Sequence, residues 1–579
     1  MKKCRLFLLT VLLLSGTGLW AQAVGDYGSN NNGNWGVAGT WVVCQTAGQW
    51  TDAIAATNVP TTSTTVNFWI RAGHTVNVES SPKYANNITI EATGKLSSDG
   101  ALPSTVRYMR MSGSTLTVNG QFGSGATDGL GLYALGGANQ TITITGTGTS
   151  NISRFQPQAT GQSLIIDSNV QFNYAGSSGT GSTSLYPNAF DNFTITINPG
   201  KTLTTANNSY LSIHGSSGTS AGTVSMTINV NGTFNASGAN STLNLNTAAG
   251  KTVTLNVGPN GIVNANGPIR AHYTNAGTTN INVASGGQIN CLSTGLVGLS
   301  KSTITNNGSI SLQGAIADSI GNVVSGGTIE FNKSAGNVAL CSAATINGGF
   351  TLTQGNLVLG ANNLTVGTTG SITCNPPTTY IVTNGAGKLI QNAASGTAKL
   401  FPVGSSVTSC DPVTLTPTDA TDFAVNVGTT LPAPAPANFT YNAKVWNITP
   451  VTPSSTIVTL TPSVAEATIT SDVIGQYVTD SYVNTVASKS GNAYTATFNT
   501  FSPFVCGTTD LGTGMDQSLF NDVMFDGSTI HNNSNKHLQV YDIAGRKVIS
   551  SDQSVSMSFA TKGVYIVKYD TKTLKIVLK

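Results

Sequence analysis

The densest cluster of residues that could perform chemistry in this chain is Arg270, His272 and Tyr273. Alternate residues of a β-strand project to the same face, so Arg270 and His272 would lie side by side on an extended strand. A polysaccharide lyase needs a base and a positive charge that neutralises a substrate carboxylate. His272 or Tyr273 could be that base and Arg270 that charge. The three residues are also typical of a solvent-facing strand or an insertion, which is the interpretation that we prefer.

Carboxylates are scarce, which limits hydrolytic chemistry. Hydrolysis of a glycoside usually requires two carboxyl groups that face the same bond. Asp128, Asp167 and Asp191 are separated by 39 and 24 residues, and the next two acids, Asp318 and Glu330, are twelve apart. Neither spacing indicates a common register. We therefore expect no catalytic residue, no cofactor and no metal site, and we keep a polysaccharide lyase or glycoside hydrolase as the alternative function.

The composition indicates an extracellular β-rich protein. Charged residues make up 8% of the chain, against about 25% in an average globular protein. The net charge is +3 and no basic run is present, so no nucleic-acid partner is expected. The cysteines beyond Cys4 form no CxxC pair, and both disulfides and unpaired thiols stay open for Cys44, Cys291, Cys341, Cys374, Cys410 and Cys506.

The middle of the chain repeats a short alternating strand, a glycine turn and a second short strand, as in TINVNGTF at 227–234 and INVASGGQI at 281–289. The turn glycines are separated by 32, 29, 26, 21, 19, 22 and 21 residues, at Gly200, Gly232, Gly261, Gly287, Gly308, Gly327, Gly349 and Gly370. A repeat of about twenty residues made only of short strands is typical of a parallel β-helix. We predict an all-β protein with a right-handed parallel β-helix of about eleven coils over residues 111–375. An antiparallel sandwich array is the alternative.

Residues 24–110 are predicted to form an N-terminal cap and the first coils. They contain GNWGVAGTW at 33–41 and GHTV at 73–76. This order of motifs resembles the opening of secreted bacterial β-helix proteins of the pectin-lyase-like type. The end of a β-helix exposes an unpaired edge and an apolar core. We therefore interpret four tryptophans as the core of this cap, namely Trp35, Trp41, Trp50 and Trp69. A sugar-stacking platform is the alternative.

Three further strands are predicted in residues 516–579, at LQVYDIAGRKV (538–548), GVYIVK (563–568) and LKIVLK (574–579). Asp and Gly in the first segment are typical of a tight turn, and a glycine precedes the β-branched run of the second. Together the segments resemble the type A C-terminal sorting domain of type IX (Por) secretion cargo, an Ig-like β-sandwich. The sorting residues that this resemblance implies are Asp542, Gly545, Arg546, Gly563, Val564, Tyr565, Lys575 and Lys579.

Between the repeats and this tail, segments such as LFPVGS (400–405), DPVTLTP (411–417) and FSPFVCG (501–507) differ in character from the repeats. They resemble a β-sandwich module that often lies between a β-helix and a type IX tail. We assign residues 376–506 to that module and residues 507–515 to a linker.

The N-terminus predicts secretion. Lys2, Lys3 and Arg5 precede an apolar run over 6–14, and small residues follow at 21–23. These features are typical of a signal peptide, which we assign to residues 1–23. The apolar run is too short for a transmembrane helix. With the tail, they predict a protein secreted to, or attached at, the surface of a Gram-negative bacterium.

The resemblance to type IX cargo implies several partners. They are the secretion machinery, its sortase-like protease and a surface lipopolysaccharide anchor, with removal of the tail after export. The function favoured by the sequence is a non-enzymatic adhesin or structural surface protein that binds host or environmental glycans or proteins.

Overall fold

The computed structural model describes residues 22–578 except 63–64, 103–104, 126, 174–182, 186–189, 207–209, 213–223, 239–241, 272–276, 293–296, 435–438, 464–472, 510–522, 526–527, 533–536, 559 and 570–571. The fold is all-β, as predicted, with 55% strand and 1% helix. Within the described ranges the helical part is the short 3₁₀ segment Ala38–Thr40. The chain forms two compact units. The first comprises residues up to Asn392 with Phe401–Cys410 and Asp422–Asn426, and the second comprises Ala393–Leu400, Asp411–Thr421 and Val427–Lys579.

The first unit is a parallel β-solenoid of about 13 turns. Each strand pairs in parallel with the equivalent strand one turn later, as Thr141–Thr145 does with Ser163–Asp167. The predicted parallel β-helix is thus confirmed. Among the described residues, the second face has eleven strands within 111–375, as many as the coils predicted there, and the additional turns lie outside that range.

Each turn contributes to three faces. The first face contains Tyr27–Ser29, Phe68–Ile70, Ile88–Ile90, Thr115–Val118, Thr141–Thr145, Ser163–Asp167, Phe193–Ile197, Met226–Val230, Thr252–Val257, Thr278–Val283, Ala344–Ile346, Leu364–Val366 and Leu389–Ala393. The second face contains Gly33–Asn34, Thr75–Val78, Lys95–Ser98, Gln121–Phe122, Thr149–Ile152, Val170–Phe172, Thr202–Thr205, Thr233–Ala236, Ile262–Ala265, Gln288–Cys291, Ser309–Gly314, Thr328–Lys333, Gly349–Gln354 and Ser371–Thr373. The third face contains Lys83–Ala85, Arg107–Met111, Leu130–Ala134, Phe155–Pro157, Thr183–Leu185, Tyr210–Ser212, Thr242–Asn244, Ile269–Arg270, Val338–Leu340, Leu357–Val358, Ile381–Val382 and Val403–Ser406. Two long strands run from the third face into the first, Val297–Asn306 and Asp318–Ser325.

Side chains that point inward stack from turn to turn and form the core. One column on the first face, with each member at most 1% exposed, consists of Phe68, Ile88, Leu116, Ile144, Ile166, Ile197, Val230, Val257 and Val283. Burying one such side chain contributes roughly 1.5–3 kcal/mol. The outward residues that alternate with them are mostly Thr, Ser and Asn, which explains how a chain with so few charges can alternate between core and surface.

The turn glycines mark a close approach of the backbones of successive turns. A Cβ atom at Gly327 would overlap the carbonyl oxygen of Gly308, and one at Gly308 would overlap that of Gly287. In the next turn this position belongs to Gly348, whose Cβ would overlap the carbonyl oxygen of Gly327. The glycine at the close approach is therefore Gly348, one residue before the predicted Gly349. A Cβ at Gly349 would lie 3.6 Å from its nearest neighbour.

Antiparallel strands precede the regular turns. Trp41–Val43 pairs with Tyr27–Ser29 and with Ile54–Ala55. The indole rings of Trp35 and Trp41 are almost fully buried, and their centroids lie 4.5 and 4.9 Å from the ring centroid of Phe68. Because Phe68 lies one position from the N-terminal end of the apolar column, after Tyr27, these two tryptophans pack at that end of the core.

Parallel pairing continues beyond residue 375. Leu364–Val366 pairs with Leu389–Ala393, and Ile381–Val382 pairs with Val403–Ser406. The chain then turns back, since Ser409–Cys410 pairs antiparallel with Val403–Ser406. Thr421–Gly428 contributes its central residues to the same unit. The last solenoid turns thus include residues that the sequence analysis assigned to the following module.

The second unit contains antiparallel strands. One five-stranded sheet has the order Lys399–Phe401, Val413–Pro417, Thr456–Leu460, Ala493–Phe498 and Ser488–Ser490. A second group pairs around Pro503–Thr509, which bonds to Phe439–Tyr441, Val445–Pro450 and Val473–Val478, and the last of these pairs with Ser481–Val486.

The tail contains two antiparallel sheets. The smaller sheet consists of Val523–Phe525, Thr529–Asn532 and Val555–Ser556, and the larger has the order Lys547–Ser551, Leu538–Asp542, Gly563–Tyr569 and Lys572–Leu578. The three strand segments predicted here are present. Both sheets contribute to one apolar cluster, formed by Val523, Ile530, Leu538, Val540, Met557, Tyr565, Val567, Tyr569 and Ile576.

Candidate functional site

Arg270, the cation of the predicted lyase cluster, lies on the third face at the end of Ile269–Arg270. Its side chain is partly buried, and its Nε is shielded from solvent without a hydrogen-bond partner among the described residues. In register on the adjacent turns lie Asn244 and Gly298, neither of which is charged. His272 and Tyr273 lie outside the described residues. The described part of the chain therefore brings no second charged residue into register beside Arg270.

The two late acids lie on different faces. Asp318 is buried at the start of its strand, and its Oδ2 lies 2.6 Å from Nζ of Lys333. Glu330 projects from the second face and accepts a 2.8 Å hydrogen bond from Oγ1 of Thr353. These two carboxyl groups cannot flank one glycosidic bond, as hydrolysis requires.

The three early acids are held by their neighbours. Asp128 is buried and accepts hydrogen bonds from the hydroxyl of Ser98 on the preceding turn and from the backbone nitrogens of Ser124 and Leu130. Asp167 accepts a 2.9 Å bond from Nδ2 of Asn198. Asp191 pairs with Lys251, which lowers the pKa of that carboxyl. A carboxyl with a lowered pKa is a weaker base, so this arrangement indicates a role in turn structure.

No metal centre is present among the residues that the structure describes, since none of them form a group of three His, Cys, Asp or Glu side chains. No disulfide joins any of the six cysteines from Cys44 onward in the described structure. None of the helical residues described forms a segment that could span a membrane.

A cluster that the sequence analysis missed lies on the outer side of the third face, in the early turns. Tyr84, Arg110 and Tyr133 occupy equivalent positions on three successive strands. Cζ of Arg110 lies 5.8 Å from the ring centroid of Tyr84 and 5.5 Å from that of Tyr133. The guanidinium group is thus held between tyrosines of the two adjoining turns, within the range of cation–π attraction.

Two more residues extend this cluster. The ring of Tyr108 lies 4.0 Å from that of Tyr133, centroid to centroid. Gly131 makes room for the pair, because a Cβ there would lie 2.9 Å from Cδ1 of Tyr108. Arg154, one turn further, is close enough to Tyr133 for its charge to affect the phenol. We call Tyr84, Tyr108, Arg110, Tyr133 and Arg154 the arginine–tyrosine surface.

The electrostatics of this surface favour binding over proton transfer. Burial raises the pKa of Tyr133, a hydrogen bond with Tyr108 acts in the same direction, and the two arginines offset only part of this effect. The phenol therefore stays protonated at neutral pH and is a poor base. Nε of Arg110 is shielded without a hydrogen-bond partner in the described chain, and Nη1 makes only a 3.4 Å contact with the hydroxyl of Tyr84. The surface can attract an anion and offer ring faces beside it.

A sequence signal for this cluster exists but is weak. Tyr84, Arg110 and Tyr133 are 26 and 23 residues apart, which is about one turn in this part of the solenoid. The turn length could not be read there, because the regular glycine spacing begins only near Gly200.

Two of the four N-terminal tryptophans interpreted as cap core lie outside it. Trp50 and Trp69 are partly buried, and their ring centroids are 6.5 Å apart. Cζ of Arg71 lies 5.9 Å from the ring of Trp50. His74, interpreted from the sequence as structural, makes a 2.9 Å hydrogen bond through Nδ1 with Oγ of Ser29.

Asp542 organises the turn between the strands Leu538–Asp542 and Lys547–Ser551 of the tail. Its Oδ1 accepts hydrogen bonds from the backbone nitrogens of Ala544 and Arg546, at 3.0 and 2.9 Å, and its Oδ2 lies 2.8 Å from Nε of Arg546. Gly545 has a φ of 79°, which favours glycine. Three of the implied sorting residues thus form one exposed turn.

The remaining implied sorting residues lie on the last two strands. Gly563, Val564 and Tyr565 begin the strand Gly563–Tyr569, which pairs antiparallel with Lys572–Leu578. The hydroxyl of Tyr565 donates a 2.7 Å hydrogen bond to the carbonyl of Thr561. Lys575 is exposed, whereas Lys579 lies outside the described residues.

No protein-family model, curated protein or solved structure matches this chain. An assignment of function therefore rests on the residues and contacts described above.

Proposed function

We propose that this protein is a non-enzymatic bacterial surface adhesin that binds acidic polysaccharides through the arginine–tyrosine surface of its β-solenoid. The observation that supports this function is the position of Arg110 between the rings of Tyr84 and Tyr133 on successive turns. A polysaccharide is a repeating ligand, and successive solenoid turns present successive side chains at about 4.8 Å along the stack.

The chemistry of the surface fits an acidic sugar. Arginine binds carboxylate and sulfate oxygens through paired N–H donors, and a planar guanidinium beside aromatic rings is preorganised for this contact. Tyrosine offers an apolar ring face with a polar edge, which suits the mixed surface of a sugar ring. Among the described residues Arg110 has no carboxylate partner, so a ligand anion would not have to displace one.

The alternative of a lyase or hydrolase has less support. Tyr133 is a poor base because of its raised pKa, and the carboxyl groups of Asp318 and Glu330 lie on different faces. Arg270 has no charged neighbour in register on the adjacent described strands. The binding experiment should therefore also measure product release, because released product would indicate an enzyme.

The location forms part of the proposal. A signal peptide at 1–23, a β-sandwich module after the solenoid and an Ig-like sandwich tail would take the protein through type IX secretion, with the tail removed and the mature chain attached to lipopolysaccharide or released. Two sheets sharing one apolar cluster in the tail support a sandwich. The turn organised by Asp542 would be exposed to the secretion machinery.

The test is binding of the mature protein to an array of uronic-acid-containing, sulfated and neutral polysaccharides. Arg110→Gln should weaken binding to the acidic members at least about tenfold, since a hydrogen bond to a charged group contributes about 1.5–3 kcal/mol. Arg270→Gln, on the same face, is the matched control and should leave binding unchanged. Equal binding of the native protein to neutral and acidic glycans, or release of unsaturated or reducing ends, would contradict the proposal.

A further inference from the structure

Lys333 and Asp318 form an ion pair inside the solenoid. Nζ of Lys333 lies 2.6 Å from Oδ2 of Asp318, and their side chains are 1% and 0% exposed. The same Nζ donates a 2.6 Å hydrogen bond to the carbonyl of Gln313, and Oδ1 of Asp318 accepts a 2.9 Å bond from the backbone nitrogen of Val297. Every contact of the pair is thus made within the protein.

This environment disfavours two separate charges. An ion pair in an apolar interior loses the hydration of both ions, and the attraction between the ions offsets only part of that loss. Burial raises the pKa of Asp318 despite the neighbouring ammonium group. The thiol of Cys291, whose pKa burial raises to about 12, is near enough to respond to both charges. Conversion of the pair to a neutral species would remove the cost.

We propose that Lys333 and Asp318 condense to form an intramolecular amide bond that joins two segments of the solenoid. The geometry supplies the parts that such a reaction needs. The amine and carboxyl are in contact, water is excluded, and an N–H donor is aimed at the oxygen on which negative charge would develop.

The reaction balances without a co-reactant. One proton passes from Nζ to Oδ2, leaving an amine beside a carboxylic acid. The nitrogen lone pair then attacks Cγ of Asp318, and the charge that develops on Oδ1 is stabilised by the amide of Val297. A second proton passes from nitrogen to Oδ2, the Cγ–Oδ2 bond breaks, and one water molecule leaves. The remaining N–H of the new amide keeps its acceptor, the carbonyl of Gln313.

The chain offers a direct test by mass spectrometry. Asp318 and Lys333 lie between the trypsin sites Lys301 and Lys388, with no other Lys or Arg in the interval. An acylated Lys333 resists trypsin. The native, folded protein should therefore yield one peptide, residues 302–388, that is lighter than its sequence mass by one water molecule.

A second digestion places the bond. Cleavage after Glu330 should leave residues 302–330 and 331–388 joined, whereas a succinimide at Asp318 would let them separate. Cleavage of the native protein after Lys333, with each peptide at its full sequence mass, would overturn the proposal. So would separation of the two fragments after Glu330 is cut.

Two controls distinguish an amide from an ion pair. Lys333→Arg keeps the positive charge but lacks the amine, so this variant should retain its full mass. The partly exposed pair Lys251 and Asp191 should stay uncondensed in the native protein, because water stabilises its ions, and trypsin should cut after Lys251. Loss of water in the Lys333→Arg variant would place the modification elsewhere and overturn the assignment.

Discussion

Asn256 on the first face donates a 2.9 Å hydrogen bond from Nδ2 to Oδ1 of Asn229 on the preceding turn, and accepts an equivalent bond from Asn282 on the next. A similar ladder on the second face joins Asn264 to the turns on either side. Amide ladders of this kind satisfy the outward polar groups without charges, and they link neighbouring turns in register.

Asn256→Ala should destabilise the solenoid by about 1–3 kcal/mol, because it removes two side-chain hydrogen bonds worth about 0.5–1.5 kcal/mol each. The measurement is the midpoint of chemical denaturation of the mature protein. Asn280→Ala, on the same face but without a side-chain hydrogen bond among the described residues, is the control. Equal shifts for the two variants would show that the ladder contributes nothing specific.

Trp41→Ala should open the N-terminal end of the solenoid. Trp41 is 1% exposed and its Nε1 donates a 2.8 Å bond to the carbonyl of Trp35. Removing a buried aromatic side chain typically costs about 3–5 kcal/mol. Hydrogen exchange should accelerate first in the strands Tyr27–Ser29 and Phe68–Ile70. Val37→Ala, at a residue 53% exposed, should leave exchange unchanged; the cap role fails if both variants behave alike.

Gly545→Val should destabilise the tail through backbone strain alone. The residue has a φ of 79°, and a Cβ there would meet no atom within 4 Å, so no steric overlap is involved. Valine avoids this region, whereas asparagine adopts it. We expect Gly545→Asn to keep near-native stability, measured by thermal denaturation of a chain containing the tail. A large loss with asparagine would mean that a feature other than φ requires glycine.

The stability of the turn organised by Asp542 should depend on pH. Hydrogen bonds and the charge of Arg546 lower the pKa of Asp542 below its ordinary value of 3.8. A lowered pKa means that the unfolded chain binds the proton more tightly, so this contribution to stability is present above pH 3.8 and is lost as the pH falls through the lowered pKa. Carboxyl NMR titration should show the lowered value. Arg546→Gln should move it back towards normal, and an unchanged value would contradict this account.

Deletion of Leu574 to Lys579 should prevent export if the tail is a sorting domain. The strand Lys572–Leu578 pairs along the full length of Gly563–Tyr569 and contributes Ile576 to the apolar cluster. Its loss exposes an edge and part of a core, so the deleted protein should accumulate in the periplasm with a folded solenoid. Lys575→Ala changes an exposed side chain, so this variant tests recognition by the secretion machinery without disturbing the fold. Normal surface levels of the deletion variant would refute the sorting role.

The sequence by itself determined the class of fold. Short strands, alternate apolar residues and recurrent glycines such as Gly308 and Gly327 are local patterns, and each reports directly on strand faces or on the close approach of backbones. The segments around Val540 and Tyr565 likewise identified the tail strands, because period-two alternation needs no knowledge of distant contacts.

Only the tertiary structure decided which residues meet across turns. Tyr84, Arg110 and Tyr133 become neighbours because parallel strands bring residues one turn apart into register, and the early turns vary in length. Asp318 and Lys333, separated by fifteen positions, lie on strands of different faces and meet because both side chains point into the solenoid. The sequence does not show whether a given polar side chain points outward or inward. Its direction depends on how the corners of each turn orient the strand, and packing against the turns on either side sets those corners.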